Sequence, residues 1–301
     1  MAMAAGILCT CAWAAAPVAK PPASTSAAAT TGSNTKAPAA AVTTTPPAPP
    51  PVPPAPGPQS AAQLAKAFEE RSKIHLTIPT EQQTAWAEKM QQALSEAALP
   101  NLASQTILLV DRNPFVQTLF IYWRDAQGPW QFVWAAPVST GRTGQFDHYL
   151  TPRGVFVHTL ANPDYRAQGT RNENGIRGYG LKGMRVYDFG WATSERGWGN
   201  GAPGIMRLQM HATDPGVLEK RLGNRASKGC VRISSELNRL IDHYGLLDAE
   251  YEAAAKQGQR LWILRKDREP VATPGRYMVV IDSAQTQKPA WLAEAAPRPA
   301  N

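Results

Sequence analysis

Hydrophobic and polar positions change their spacing several times along the chain. Met1 to Ala16 is an apolar, small-residue run without a charge, and Pro17 to Pro58 repeats Pro, Ala, Thr and Ser with no apolar period. From Ser60 to Arg71, Leu64 and Phe68 stand four apart. From Thr80, the positions Trp86, Met90, Leu94 and Ala97 share one helical face. Both stretches predict helices, the second opened by a Thr80/Gln83 capping box and ended by Pro100. At Thr106 the period shortens. Thr106 to Val110, Gln117 to Trp123 and Trp130 to Val138 are β-branched and aromatic runs separated by turn residues, which predicts an antiparallel meander.

Further strands are predicted at Val155 to Val157, Ile205 to His211, Leu261 to Leu264 and Tyr277 to Ile281. Asn162 to Gly204 is rich in Gly, Arg, Tyr and Trp without a clear period and reads as a long loop or insertion of the kind that carries substrate contacts. After Cys230, Ser234 precedes Leu237, Leu240, Ile241 and Tyr244 at helical spacing, closed by Gly245. The residues from Ala284 are Pro/Ala-rich and predict a flexible tail. The resulting division is a leader at 1–16, a tether at 17–58, a helical segment at 59–103, a mainly β domain at 104–283 with an insertion at 162–204, and the tail at 284–301.

Composition narrows the class. With 43% hydrophobic and 18% charged residues the 301-residue chain can bury a core, so a wholly disordered protein is excluded. Of 27 prolines about half fall in the tether, whose apolar content is too low to offset the entropy of ordering. The leader resembles the apolar region and small-residue cleavage site of a secretory signal, although no Lys or Arg precedes Lys20. It is too short to span a bilayer, and export to the periplasm or cell envelope is the expectation. Between Arg142 and Arg232 lie 14 Lys/Arg and 7 Asp/Glu, a net +7 out of +8 for the chain. That excess suggests an anionic ligand, with a solvated basic surface as the other reading. Nucleic acid would explain the charge but not the chemistry below.

Two of the three cysteines, Cys9 and Cys11, sit in the leader, which leaves Cys230 alone in the body of the chain. In Met206-Arg-Leu-Gln-Met-His211 the methionines and Leu208 alternate with Arg207, Gln209 and His211, so His211 is expected on the polar face of a strand and outside the core. A 15-residue spacer leads to Ser227-Lys-Gly-Cys-Val-Arg232. There Lys228 and Arg232 would favour a thiolate, an imidazole could take its proton, and the N–H groups of Gly229 and Cys230 could form an oxyanion hole. An inert buried thiol is the alternative. His75, His148, His158 and His243 show no ligand spacing for zinc.

His211 with Ser227-Lys228-Gly229-Cys230-Val231-Arg232 resembles the signature of the L,D-transpeptidase (YkuD-type) family. Pro137-Val-Ser-Thr-Gly141 and Thr151-Pro-Arg-Gly-Val-Phe156 are similar to two further family segments, in the same order. The resemblance spans Thr106 to Leu264. It implies an L,D-transpeptidase-like β-sandwich or barrel with a helix after the cysteine. It also implies Cys230 as nucleophile, His211 as base, Gly229 and Ser227 as oxyanion and site support, Arg232, Arg142 and Arg153 as substrate contacts, and no metal or organic cofactor. The implied partners are peptidoglycan stem peptides and an amine acceptor on a second stem or an envelope protein. Water as acceptor, giving a carboxypeptidase or amidase, and a catalytically silent wall-binding module are the alternatives. Lys228 stands where the family often has histidine, and Ala212 where it often has glycine.

Overall fold

The computed structural model describes residues 53–126 and 128–293. The leader, the tether as far as residue 52 and the tail beyond residue 293 lie outside the described residues. Backbone contacts divide the chain at Pro49, and every described residue belongs to the second unit, Pro49–Asn301.

The elements run α1 (Ala61–Arg71), α2 (Thr80–Glu96), β1 (Gln105–Asp111), β2 (Thr118–Arg124), β3 (Gln131–Pro137), β4 (Gly154–Val157), β5 (Tyr165–Arg166), β6 (Arg185–Glu195), β7 (Pro203–Ala212), β8 (Val231–Ile233), α3 (Ser235–His243), α4 (Ala249–Lys256), β9 (Tyr277–Ile281) and α5 (Ala290–Ala293). The fold is mainly β with a few helices. One sheet has five strands in the order β3-β2-β1-β9-β4 and the other four in the order β5-β6-β7-β8.

Period-two alternation decides where each face goes. In β1 and β2, Leu108, Val110, Leu119, Ile121 and Trp123 enter a core shared with Tyr187, Leu208, Met210 and Val231 of the second sheet. Ile107, Leu109, Phe120 and Tyr122 enter a separate core under α2, built on Trp86, Met90 and Leu94. The two sheets therefore face each other, with α2 covering the outside of the first. α1 closes one end, where Phe68 meets Trp134 edge-on and stacks on Tyr244.

Several local expectations require correction. Thr80 lies inside α2, Pro79 is its N-cap, and no side chain caps it; the Gln83 amide donates instead to Ile78 O. Ser60 and Ser234 do cap α1 and α3, accepting from the N–H groups of Gln63 and Leu237. Leu261 to Leu264 is a turn, its apolar residues Ile263 and Leu264 buried with Tyr251 of α4 rather than paired in a sheet. The 162–204 insertion contains β5 and the eleven-residue β6, which pairs along β7. The segment after Ala284 carries α5, whose Trp291 packs against Trp86 and Phe120.

Candidate active site

Strands β7 and β8 run parallel, with Met210 opposite Val231 and His211 opposite Arg232. Carried back one residue, that register sets Gln209 opposite Cys230. Met210 and Val231 point into the core, so Gln209, His211, Cys230 and Arg232 share the opposite face. Cys230 and His211 are diagonal neighbours there, their Cα atoms roughly 8 Å apart from strand spacing and rise.

His211 is on the polar side of its strand, as alternation requires, but it is buried. The covering comes from the insertion. The Tyr179 ring sits 4.6 Å from the imidazole, and Tyr165 packs edge-on against Tyr179 at 5.9 Å. Both tyrosine hydroxyls lie 3.3–3.4 Å from Gln209 Oε1, and Gln209 donates to the buried Asp188, which also pairs with Arg207. Tyr165 and Tyr179 were not among the residues the sequence singled out, and Gln209 was read only as a polar-face neighbour of His211. Only the richness of the insertion in aromatics hinted at the first two.

Burial sets the protonation of the pair. It lowers the His211 pKa to about 4, against a hydrogen bond to Ala212 that raises it and with Arg232 adding to the fall. The imidazole is therefore neutral near pH 7. His211 Nδ1 lies 2.6 Å from Ala212 O, and a carbonyl only accepts, so Nδ1 carries the proton and Nε2 keeps its lone pair. Burial also raises the Cys230 thiol, outweighing a backbone hydrogen bond from Gln209 and the charge of Arg232. Burial thus works against the thiolate that the flanking charges were expected to favour, and Sγ lies 3.9 Å from Arg207 O. Lys228 does not supply the expected positive field either, since it reaches away to Asp147 at 3.0 Å.

Three sequence segments build the turn that presents Cys230. Ser227 Oγ donates to Cys230 O at 2.6 Å and accepts from the Gly229 N–H at 3.0 Å. Thr151 Oγ1 donates to Gly229 O at 2.6 Å and accepts from the Gly141 N–H at 3.0 Å. Ser139 exchanges two 2.9 Å backbone bonds with Arg232, and the Arg142 N–H donates to Ser227 O at 3.1 Å. Gly229 has φ +132°, a backbone conformation that favours glycine, and a Cβ there would also press on the Met206 side-chain end, with Sδ at 2.7 Å. The Gly229 N–H donates to Ser227 Oγ in this structure, so Gly229 shapes the turn that carries Cys230.

The three arginines separate. Arg232 donates through Nη1 to Ala226 O at 2.8 Å, while its Nε is buried without a partner. Arg142 bonds Gln145 through Nη2, and its Nε is likewise buried and unpartnered. Arg153 is exposed, and no contact ties it to Cys230 or His211. Among the described residues no group of His, Cys, Asp and Glu has the arrangement of a metal site, and no helix is long and apolar enough to cross a membrane.

No family model matches the chain, and no curated relative matches it. Among solved structures it is similar to the helical cell shape determining protein Pgp2 from Campylobacter jejuni, at 14% identity and a TM-score of 0.27, over 75% of this chain and 57% of that one. A lysine-to-alanine mutant of the same protein matches at 12% identity and a TM-score of 0.26, over 75% and 56%. The chain thus spans a little over half the length of those structures, and likeness at this level says nothing of its chemistry.

Proposed function

We propose that this chain is a cysteine acyltransferase of the L,D-transpeptidase kind, acting on peptidoglycan stem peptides in the cell envelope. One observation carries the reading. A buried imidazole whose Nδ1 donates to Ala212 O lies on β7, the strand that pairs with the one following Cys230, and the thiol's turn is held by the three segments that resemble the family.

In the first step His211 Nε2 takes the Cys230 proton as Sγ attacks the carbonyl that joins diaminopimelate to the terminal D-alanine of a tetrapeptide stem. With the Gly229 N–H engaged, the Cys230 N–H is the backbone donor for the tetrahedral oxyanion. The imidazolium returns its proton to the leaving nitrogen, D-alanine departs, and a thioester remains. An acceptor amine then attacks the thioester, its proton passing through His211, and the thiol is restored. Desolvation favours this neutral route, because a resting thiolate and imidazolium would both have to be held in a buried site.

The test is incubation of the protein with tetrapeptide muropeptides and mass analysis of the products. Cross-linked dimer lacking one alanine is expected, absent with Cys230→Ala. Equal product from the variant removes the reading, and tripeptide monomer alone assigns water as the acceptor.

A further inference from the structure

The sheet face that carries His211 continues past the thiol. On β7, Ile205 and Arg207 extend the series Gln209 and His211 toward the β6–β7 turn, and on β6 Trp191 stands opposite Arg207 and Thr193 opposite Ile205. Near His211 this face is covered by Tyr179, but beyond Arg207 it is open, with Trp191 69% and Ile205 60% exposed. Arg207 O lies 3.9 Å from Cys230 Sγ, so the open strip begins beside the thiol. At strand rise, Ile205 is about 7 Å and Pro203 about 14 Å farther along it. Elsewhere near the turn, Phe146 packs on Trp198 and Trp198 on Tyr149, whereas among the described residues no ring packs on Trp191. The contact Trp191 makes is with the Arg207 guanidinium, 5.5 Å from the ring centroid. Bonds from Nε to Asp188 and from Nη2 to Asn162 fix that guanidinium and meet its charge.

An open indole on a strand, beside hydrogen-bonding groups whose charge is already met, suits a neutral ring rich in hydroxyls. One face of a pyranose is a patch of C–H groups that lies on an aromatic π-face, and its hydroxyl rim can reach Arg207 and the exposed Thr193. Other occupants fit less well. Two apolar side chains fall far short of the roughly 800 Å² per partner of a stable protein interface. An anionic membrane surface asks for free positive charge, which Asp188 takes from Arg207 and which the exposed Glu195, on the same strip, opposes. Length points to a sugar as well. In the acyl-transfer reading the attacked carbonyl belongs to the third residue of a stem whose first residue is joined to the glycan strand. Three residues of extended peptide reach about 10 Å, which falls between Ile205 and Pro203.

We propose that Trp191, with Ile205 and Arg207, is a platform for a sugar ring of the glycan strand, so that the substrate is a stem peptide still attached to its glycan. The proposal rests on the acyl-transfer reading, and its test separates the two.

Glycan strands stripped of their stem peptides are titrated into the full chain and into Cys230→Ala, with binding read by calorimetry. Both proteins are expected to bind. Trp191→Ala should bind about fivefold more weakly, Trp191→Tyr, which keeps a ring, should lose less, and Trp262→Ala, a similarly exposed indole on the turn after α4, should match the wild type. In a second arm, turnover of a disaccharide-linked tetrapeptide is compared with that of the same tetrapeptide without sugar. The kcat/KM ratio is expected to favour the sugar-linked form by about tenfold in the wild type and to fall by about threefold or more in Trp191→Ala. Absence of glycan binding, or an affinity or turnover ratio indifferent to Trp191, overturns the platform and leaves the nucleophile standing. Binding to phosphatidylglycerol vesicles, or self-association, that Trp191→Ala abolishes in place of glycan binding assigns the face to lipid or to a second copy and overturns the platform too. If neither tetrapeptide is consumed, the acyl-transfer reading fails and the titration alone decides the platform.

Discussion

Burial holds His211 at a pKa of about 4, whereas in the unfolded chain it returns to its ordinary value of 6.5. Between those values the unfolded chain binds a proton that the folded chain refuses. Stability contributed by the neutral ring is therefore complete above pH 6.5 and is lost as pH falls toward 4, with a full size on the order of 3 kcal/mol. His211→Asn should remove this component. Urea unfolding of the two proteins at pH 7 and pH 4 should show the wild type losing more stability than the variant by that amount. Equal losses would mean that the folded ring takes up its proton over the same pH range as the unfolded one, so that burial does not hold it neutral below pH 6.5. At the same scale, Ser227→Ala strips the acceptor from the buried Gly229 N–H and the donor from Cys230 O. The orphaned groups should cost about 1–3 kcal/mol. They should also slow turnover by at least tenfold, because the thiol's turn loses its internal brace. A variant that melts earlier yet turns over at the wild-type rate would show that the brace does not position the thiol.

Between elements, Thr151 is the connection that matters most to the site. Its hydroxyl joins the Gly141 N–H, just past β3, to Gly229 O beside Cys230. Thr151→Val keeps the shape and removes both bonds, so destabilisation of about 1–3 kcal/mol is expected, with slower Cys230 alkylation as the sign that the turn has moved. An unchanged alkylation rate with a lowered melting point would confine Thr151 to a structural role. This connection could be read only as motif: Thr151 and Gly229 are 78 positions apart, and residue type at fixed spacing showed that both mattered without showing that they touch. Helices α1 to α3 and most strands were legible because one face of each is apolar and the other is not. Strand β6 was not, because both its faces are buried in the first half and each carries a charge, Arg185 on one and Asp188 on the other, sheltered by partners. Gly190, at φ +83°, falls in an irregularity between Asp188 and Trp191 that breaks the alternation. Tyr165 and Tyr179 escaped notice for a related reason, since a loop that folds over a sheet leaves no period in the sequence.

Across the whole molecule, the two sheets are joined by charge as well as by the apolar core. Arg185, at the start of β6, is fully buried between the rings of Tyr187 and Tyr251. It makes paired 2.7 Å bonds to Asp248 and a 2.6 Å bond to Asp164, with Asp242 at 3.3 Å. His158, which follows β4 at the edge of the five-stranded sheet, reaches Asp164 through Nε2 and Leu247 O through Nδ1, both at 2.9 Å. Burial alone would raise the Asp164 carboxyl, but His158 and Arg185 hold it below its ordinary value. The guanidinium therefore stands between a strand of one sheet, a histidine of the other, α3 and the N-terminus of α4. Removing it should cost far more than a surface ion pair, because two or more carboxylates would stay buried without compensation. Arg185→Met is expected to lower stability by about 3–5 kcal/mol, read as a shift of the urea midpoint at constant slope. Adding Asp164→Asn and Asp248→Asn to that variant should recover a large part of the loss, since the stranded charges go with the arginine. If the single variant loses less than about 1 kcal/mol, the range of an exposed pair, the network contributes nothing to joining the sheets. If the triple variant recovers nothing, the loss comes from packing of the Arg185 side chain between its tyrosines rather than from its charge.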